Sequence, residues 1–103
     1  MIVFIGPSGA GKSRLGKRVA RILGVPFADS DRLVVAGHGP IPQIFREHGE
    51  AYFRALERET VHRALQGDGV LSLGGGAILD PDTQAELAEH RVVYLTISPD
   101  AVS

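Results

Sequence analysis

Met1-Ile2-Val3-Phe4-Ile5-Gly6-Pro7-Ser8-Gly9-Ala10-Gly11-Lys12-Ser13 opens the chain, and its second part fits the pattern G-x-x-x-x-G-K-[ST]. The first five residues, continuously apolar and β-favouring, read as a strand buried on both faces of a parallel sheet, and helical spacing begins near Ser13. Such a loop between a strand and a helix is a phosphate-binding loop, or P-loop. Its glycines take backbone conformations closed to other residues, so consecutive N–H groups can curl round a phosphate at the positive end of a helix. Lys12 is suited to reach β- and γ-phosphates as a mobile point charge, and the Ser13 hydroxyl to ligate Mg²⁺. The plainer alternative is a glycine-rich turn with no ligand, and the strand before and helix after favour the loop.

Outward from this stretch, Leu15, Val19, Ile22 and Leu23 keep helical spacing and read as the apolar face of a helix from Ser13 to Leu23. Gly24 is expected to cap it and Pro26 to prevent its return. Gly16 inside the helix costs ~0.5–1 kcal/mol relative to alanine, tolerable if the helix passes close to the sheet. Val25 to Asp29 reads as a second strand, followed by a short helical turn, a loop through Gly37, Gly39, Pro40 and Pro42, and a brief helix from Gln43 to His48. A longer helix is expected from about Glu50 to Gln66, with Phe53, Leu56, Val61, Ala64 and Leu65 on one face. Val70 to Leu73 reads as a third strand running into Gly74-Gly75-Gly76. Asp80-Pro81 supplies an N-cap and a first-position proline for a helix to about Glu89, and Val92 to Ile97 reads as a fourth strand.

Alternating strands and helices imply an α/β fold with a parallel sheet, and 103 residues allow one domain rather than two. With 44% hydrophobic and 22% charged residues the composition is that of a globular protein. A formal net charge of −1 does not suggest a nucleic-acid or anionic-membrane partner, so phosphate recognition has to be local. No cysteine is present, which removes disulfides, thiolate metal sites and cysteine nucleophiles. The opening apolar run is too short for a signal-peptide core, and no stretch approaches the ~20 apolar residues of a membrane span. A soluble, cytoplasmic protein is therefore expected. His38, His48, His62 and His90 form no H-x-x-x-H pair and are expected at the surface or helix ends.

Open α/β sheets bind ligands at the carboxyl ends of their strands. Three features gather there: the P-loop, Asp29 and Asp31, and the three glycines. Taken singly, the aspartates could be a helix cap or a solvated turn and the glycines a flexible turn. Together they match what a kinase needs, namely Mg²⁺ ligands, a group that orients or deprotonates an acceptor hydroxyl, and backbone donors at the transferred phosphoryl.

The set G-P-S-G-A-G-K-S, F-A-D-S-D (Phe27 to Asp31), G-E-A-Y-F-R (Gly49 to Arg54) and L-S-L-G-G-G (Leu71 to Gly76), in this order, resembles shikimate kinase. The resemblance runs through the whole chain but corresponds to the amino-terminal portion of the family's fold. It implies a three-layer P-loop NTPase fold of the nucleoside-monophosphate-kinase type, truncated here after the fourth of five parallel strands, so that residues 1–103 form a single but incomplete kinase domain. It also implies transfer of phosphate from ATP to the 3-hydroxyl of shikimate. By position, Gly9, Ala10, Gly11, Lys12, Ser13 and Arg14 would bind ATP, Lys12 and Asp31 would be catalytic, and Ser13 would hold Mg²⁺ with Asp29 in support through water. Asp31 would accept hydrogen bonds from the shikimate hydroxyls and orient or deprotonate the attacking oxygen. Arg54 would grip the shikimate carboxylate through its planar fork, with Gly74, Gly75 and Gly76 offering backbone N–H groups.

Residue type alone would leave Arg54 as a helix-surface partner of Glu50, worth only ~0.2–0.5 kcal/mol. Glu57, one turn on, is suited to hold Arg54, and Phe45 and Phe53 to wall the apolar side of the ring. Arg14 stands where many family members have a second hydroxyl residue, so a phosphate contact there would come from its backbone or guanidinium. The family's lid arginine, second carboxylate-binding arginine, adenine-contacting segment and fifth strand would lie beyond Ser103. A monomer is expected of the full-length enzyme and self-association of this chain. Two rival readings remain: a gluconate-kinase-like small-molecule kinase, and a non-catalytic nucleotide-binding module.

Overall fold

The computed structural model describes residues 1–6, 11–74 and 76–95. Four strands, β1 (Ile2–Ile5), β2 (Phe27–Asp29), β3 (Val70–Ser72) and β4 (Arg91–Tyr94), form one sheet in the order β2-β3-β1-β4. All pairings are parallel: Val3 lies opposite Leu71 and Val92, and Ala28 opposite Leu71. The carboxyl ends of β1, β2 and β3 thus share one edge. β1 is flanked on both sides, as its continuous apolar run predicts, and Val3, Phe4 and Ile5 are buried.

The period of two along each strand sorts side chains to two faces. Val3, Ile5, Leu71 and Leu73 pack with Val61 and Leu65 of α4 (Glu50–Leu65) and Leu87 of α5 (Pro81–Leu87). Phe4 and Val70 pack on the other face with Ala20 of α1 (Lys12–Leu23), joined by the half-buried Phe27 and Val93. A third cluster, Val34, Ile44 and Phe53, forms where α2 (Ser30–His38), α3 (Ile41–His48) and α4 meet. The parallel α/β arrangement expected from the alternation of elements and the three-layer architecture implied by the resemblance are the observed ones.

The face that α1 buries differs from the expectation. Gly16 and Ala20 are its buried residues, while Leu15 and Leu23 are exposed and Ile22 is 75% exposed. Apolar periodicity counts only large side chains, whereas this helix approaches the sheet with its small ones. A Cβ on Gly16 would stand 2.8 Å from the Phe27 ring and 3.4 Å from Val70, which accounts for a glycine within the helix. Gly24 closes α1 in the left-handed conformation, φ 70°, as predicted.

Between β2 and α4 the sequence suggests a short turn and a loop, but α2 is a continuous nine-residue helix. It starts at Ser30 because the Asp29 carboxylate caps it, accepting from the N–H groups of Asp31 and Arg32 at 3.0 and 3.4 Å. α3 begins two residues earlier than expected, with Pro42 accommodated in its first turn, where a missing N–H costs nothing. Asp80 caps α5 as predicted, accepting from Asp82 N–H at 2.8 Å and Thr83 N–H at 3.3 Å. A 3₁₀ turn, Ala77–Leu79, follows the glycines where no element was expected. β4 is described from Arg91 to Tyr94; Thr96 and Ile97, expected to extend it, lie outside the described residues.

Candidate active site

α1 leaves the P-loop at Gly11, whose φ of 82° and ψ of 23° are left-handed, and Lys12 is its first residue. The Lys12 ammonium donates at 2.6 Å to the carbonyl of Gly6, the residue that follows β1. Gly9 and Ala10, expected to present amides to phosphate, lie outside the described residues, as does Gly75. Arg14 is exposed on the first turn of α1.

One turn into the site, the Ser13 hydroxyl donates to Asp29 Oδ2 at 2.5 Å. Asp29 Oδ1 caps α2, the helix-cap reading of this residue, and Oδ2 meets the P-loop serine. A hydroxyl and a carboxylate oxygen in contact are hard donors of the kind Mg²⁺ takes when phosphates and waters complete its shell. Among the described residues no group of three or more histidine, cysteine, aspartate or glutamate side chains could hold a metal. The Ser13–Asp29 pair fits a cation that arrives with a phosphate chain.

Asp31, two residues on, is half-buried. Burial raises the proton affinity of its carboxyl above the ordinary aspartate range, the Asp29 charge pushes in the same direction, and Lys12 and Arg54 pull against both. These opposing causes place Asp31 electrostatically between the P-loop lysine and the α4 arginine. A carboxylate with raised proton affinity is the kind of group that takes a proton from a hydroxyl.

Arg54 projects from the first turns of α4. Its Nη1 donates to Glu57 Oε1 at 2.9 Å, and its Nε stands 3.8 Å from Glu50 Oε1. The surface pairing with Glu50 is thus present, but the closer partner is Glu57, which occupies the buried seam of α4 with Phe53, Val61 and Leu65 and is 4% exposed. Burial raises the proton affinity of Glu57, while the hydrogen bond and charge of Arg54 lower it. The guanidinium lies over the Phe53 ring at 5.4 Å, and Phe53 meets Phe45 with ring centroids 4.9 Å apart.

The glycine turn after β3 closes the remaining side. A Cβ on Gly74 would collide with the Asp31 carboxylate, and one on Gly76 with the Arg54 guanidinium. These two positions are glycine because the two charged groups lie against their backbone. Ser30, which sequence reasoning passed over, is fully buried, and its Oγ accepts from the N–H of Gly74 at 2.8 Å. The available signal was the small polar residue between the two aspartates at a strand's end.

Comparison with known proteins bears on this geometry. The family model described as shikimate kinase matches residues 8–103. Shikimate kinases of Streptomyces avermitilis and Salinispora arenicola are each 52% identical, over 96% and 97% of this chain and 59% and 62% of their own lengths. Among solved structures, shikimate kinase from Acinetobacter baumannii in complex with shikimate is 36% identical, with a TM-score of 0.90 over 97% of this chain and 57% of its own. The enzyme from Aquifex aeolicus is 35% identical with a TM-score of 0.88 over 96% and 61%. A gluconokinase from Sinorhizobium meliloti, 22% identical with a TM-score of 0.62, shares the fold alone. This chain spans about three fifths of the length of the curated relatives it matches. The match over residues 8–103 and the identity near one half lead to one conclusion: the chain belongs to the shikimate kinase family.

Proposed function

We propose that this chain carries the phosphate-binding and acceptor-binding parts of a shikimate kinase, a cytoplasmic enzyme of aromatic amino-acid biosynthesis that moves the γ-phosphoryl group of ATP to the 3-hydroxyl of shikimate. The observation that carries the reading is the placement of Asp31 and Arg54 against the same glycine turn, with Lys12 acting on Asp31 from the P-loop side. A guanidinium fork suits a carboxylate and a carboxylate suits hydroxyls, so the pair matches the two ends of a hydroxylated ring acid.

In this reading Gly9 to Arg14 hold the ATP phosphates and Arg54 fixes the acceptor's carboxylate, with the Phe45–Phe53 pair beside it. Asp31 aligns the attacking hydroxyl. As the oxygen–phosphorus bond forms, the bond from the γ-phosphorus to the bridging oxygen breaks, ADP departs, and the hydroxyl proton passes to Asp31. Ser13 and Asp29 would hold Mg²⁺, which when bound neutralises charge on the phosphates. Gly74, Gly75 and Gly76 would supply backbone donors to the acceptor and the phosphoryl group. Residues 1–103 would form a single kinase domain, incomplete relative to the longer relatives.

Calorimetric titration with Mg-ADP, then with shikimate or gluconate, tests the reading. Saturable shikimate binding without gluconate binding supports it, and loss of nucleotide binding in Lys12→Ala supports the P-loop assignment. Gluconate binding in place of shikimate, or equal nucleotide affinity in Lys12→Ala, refutes it.

A further inference from the structure

Asp29, Ser30 and Asp31 are consecutive where β2 becomes α2, and about 100° of rotation per helical residue sends their side chains to three different places. Asp29 reaches α1 through Ser13, and Asp31 faces the acceptor region with Lys12, Arg54 and Asp29 around it. Ser30 points inward, fully buried, to the glycine turn. We infer that Ser30 is a positioning residue: its hydroxyl, by accepting from Gly74 N–H, sets how closely the backbone of Gly74 and Gly76 stands to Asp31 and Arg54 and so sets acceptor affinity. The inference rests on the acceptor site proposed above.

The anchors of the turn show why one hydroxyl matters. Leu73 N–H is held by the Phe4 carbonyl at 3.0 Å, which fixes the end of the sheet, and Ala77 N–H returns to the Gly74 carbonyl at 3.1 Å, which closes the turn on itself. Among the described residues the Ser30–Gly74 bond, 44 residues apart in sequence, is the one hydrogen bond tying the Gly74 backbone to α2. Gly74 lies so close to the Asp31 carboxylate that a single added carbon would overlap it. Release of Gly74 therefore changes the space around Asp31 and admits water to it.

The test compares Ser30→Ala and Ser30→Thr with the unsubstituted chain by amide hydrogen exchange and by shikimate and nucleotide binding. In Ser30→Ala, Gly74 N–H should exchange about tenfold faster or more, the order expected for a buried donor left without an acceptor. Leu73 N–H should keep its protection. Shikimate affinity should fall about tenfold while nucleotide affinity holds. Ser30→Thr, which retains the hydroxyl, should restore both the exchange protection and the shikimate affinity. Should Ser30→Ala not fold, Ser30→Cys gives the same comparison, because a thiol is a weak acceptor. Unchanged Gly74 exchange or unchanged shikimate affinity in Ser30→Ala or Ser30→Cys, or a Ser30→Thr chain behaving like Ser30→Ala, overturns the inference. An unsubstituted chain that binds no shikimate overturns instead the function proposed above, with the exchange measurement still readable.

Discussion

Replacing Arg54 by alanine removes the partner of a buried carboxylate as well as a proposed substrate ligand, and the two effects separate by pH. Glu57 is 4% exposed and receives Arg54 Nη1 at 2.9 Å. Deleting one member of a buried pair costs about 3–5 kcal/mol, but the Arg54 side chain is 35% exposed and Glu57 can take up a proton, so about 2 kcal/mol is expected at pH 7. For a chain of this size that is a fall in Tm of roughly 8–16 °C. Burial already raises the proton affinity of Glu57, and Arg54 is what opposes it, so the variant's Glu57 rises further. A carboxyl raised in the folded state stabilises most fully below its ordinary value and loses that contribution as pH rises through the folded value. The deficit of Arg54→Ala should therefore shrink near pH 4.5 and be largest at pH 7. Arg54→Ala/Glu57→Gln should recover much of the loss and remove its pH dependence. Thermal unfolding from pH 4.5 to 7.5 decides the matter. A Tm within about 2 °C of the unsubstituted chain at both pH values, or a double variant no more stable than the single at pH 7, would refute the reasoning. Shikimate titration of the folded variants should still show a loss of about 30-fold or more, since a carboxylate left short of its partner costs roughly 2–5 kcal/mol.

Asp31→Asn should raise Tm at pH 7, with the gain vanishing near pH 4, because burial and the Asp29 charge disfavour ionised Asp31; thermal unfolding at the two pH values checks it, and an equal or lower Tm at pH 7 would refute it. Gly76→Ala should displace Arg54 Nη1, the atom that meets Glu57, and so lower Tm by less than Arg54→Ala while weakening shikimate in calorimetry; equal affinity would detach Arg54 from the acceptor. β4 pairs only with β1 among the described residues, and Tyr94 is 63% exposed. Light scattering should therefore show association that grows with concentration and is suppressed in Val92→Lys, as charges on an exposed edge discourage pairing.

The order and type of the main elements were legible because their signals are local: an unbroken apolar run for β1, a left-handed glycine after α1, an Asp-Pro start for α5. What escaped were features set by distance between segments. Gly16 and Ala20 form the buried face of α1 because Phe27 and Val70 stand beneath them, a relation that periodicity within the helix does not contain. α2 runs on through Gly37 because Asp29 caps it and Val34 finds Ile44 and Phe53, so packing overrides a weak helix former. Asp29, Asp31 and the glycines gather at the strand ends by position, whereas Arg54 joins them only through the family resemblance, and the proximity of Gly74 to Asp31 and of Gly76 to Arg54 shows why glycine occupies those positions. For Ser30 the signal was only its place between two aspartates, since a buried serine is recognised by its partner 44 residues away.

The contact at Gly16 has a mechanical reading. α1 and β2 meet at two rungs: Phe27 lies under Gly16, and one helical turn nearer the P-loop Asp29 meets Ser13. The first rung acts as a spacer for the second. A larger residue at position 16 would lift the helix off the Phe27 ring and tilt its leading turn, and the hydroxyl-to-carboxylate gap would widen before the hydrophobic layer came apart. Magnesium dependence of nucleotide binding would then register a methyl group placed one full turn down the helix, on a side chain that touches neither metal nor phosphate.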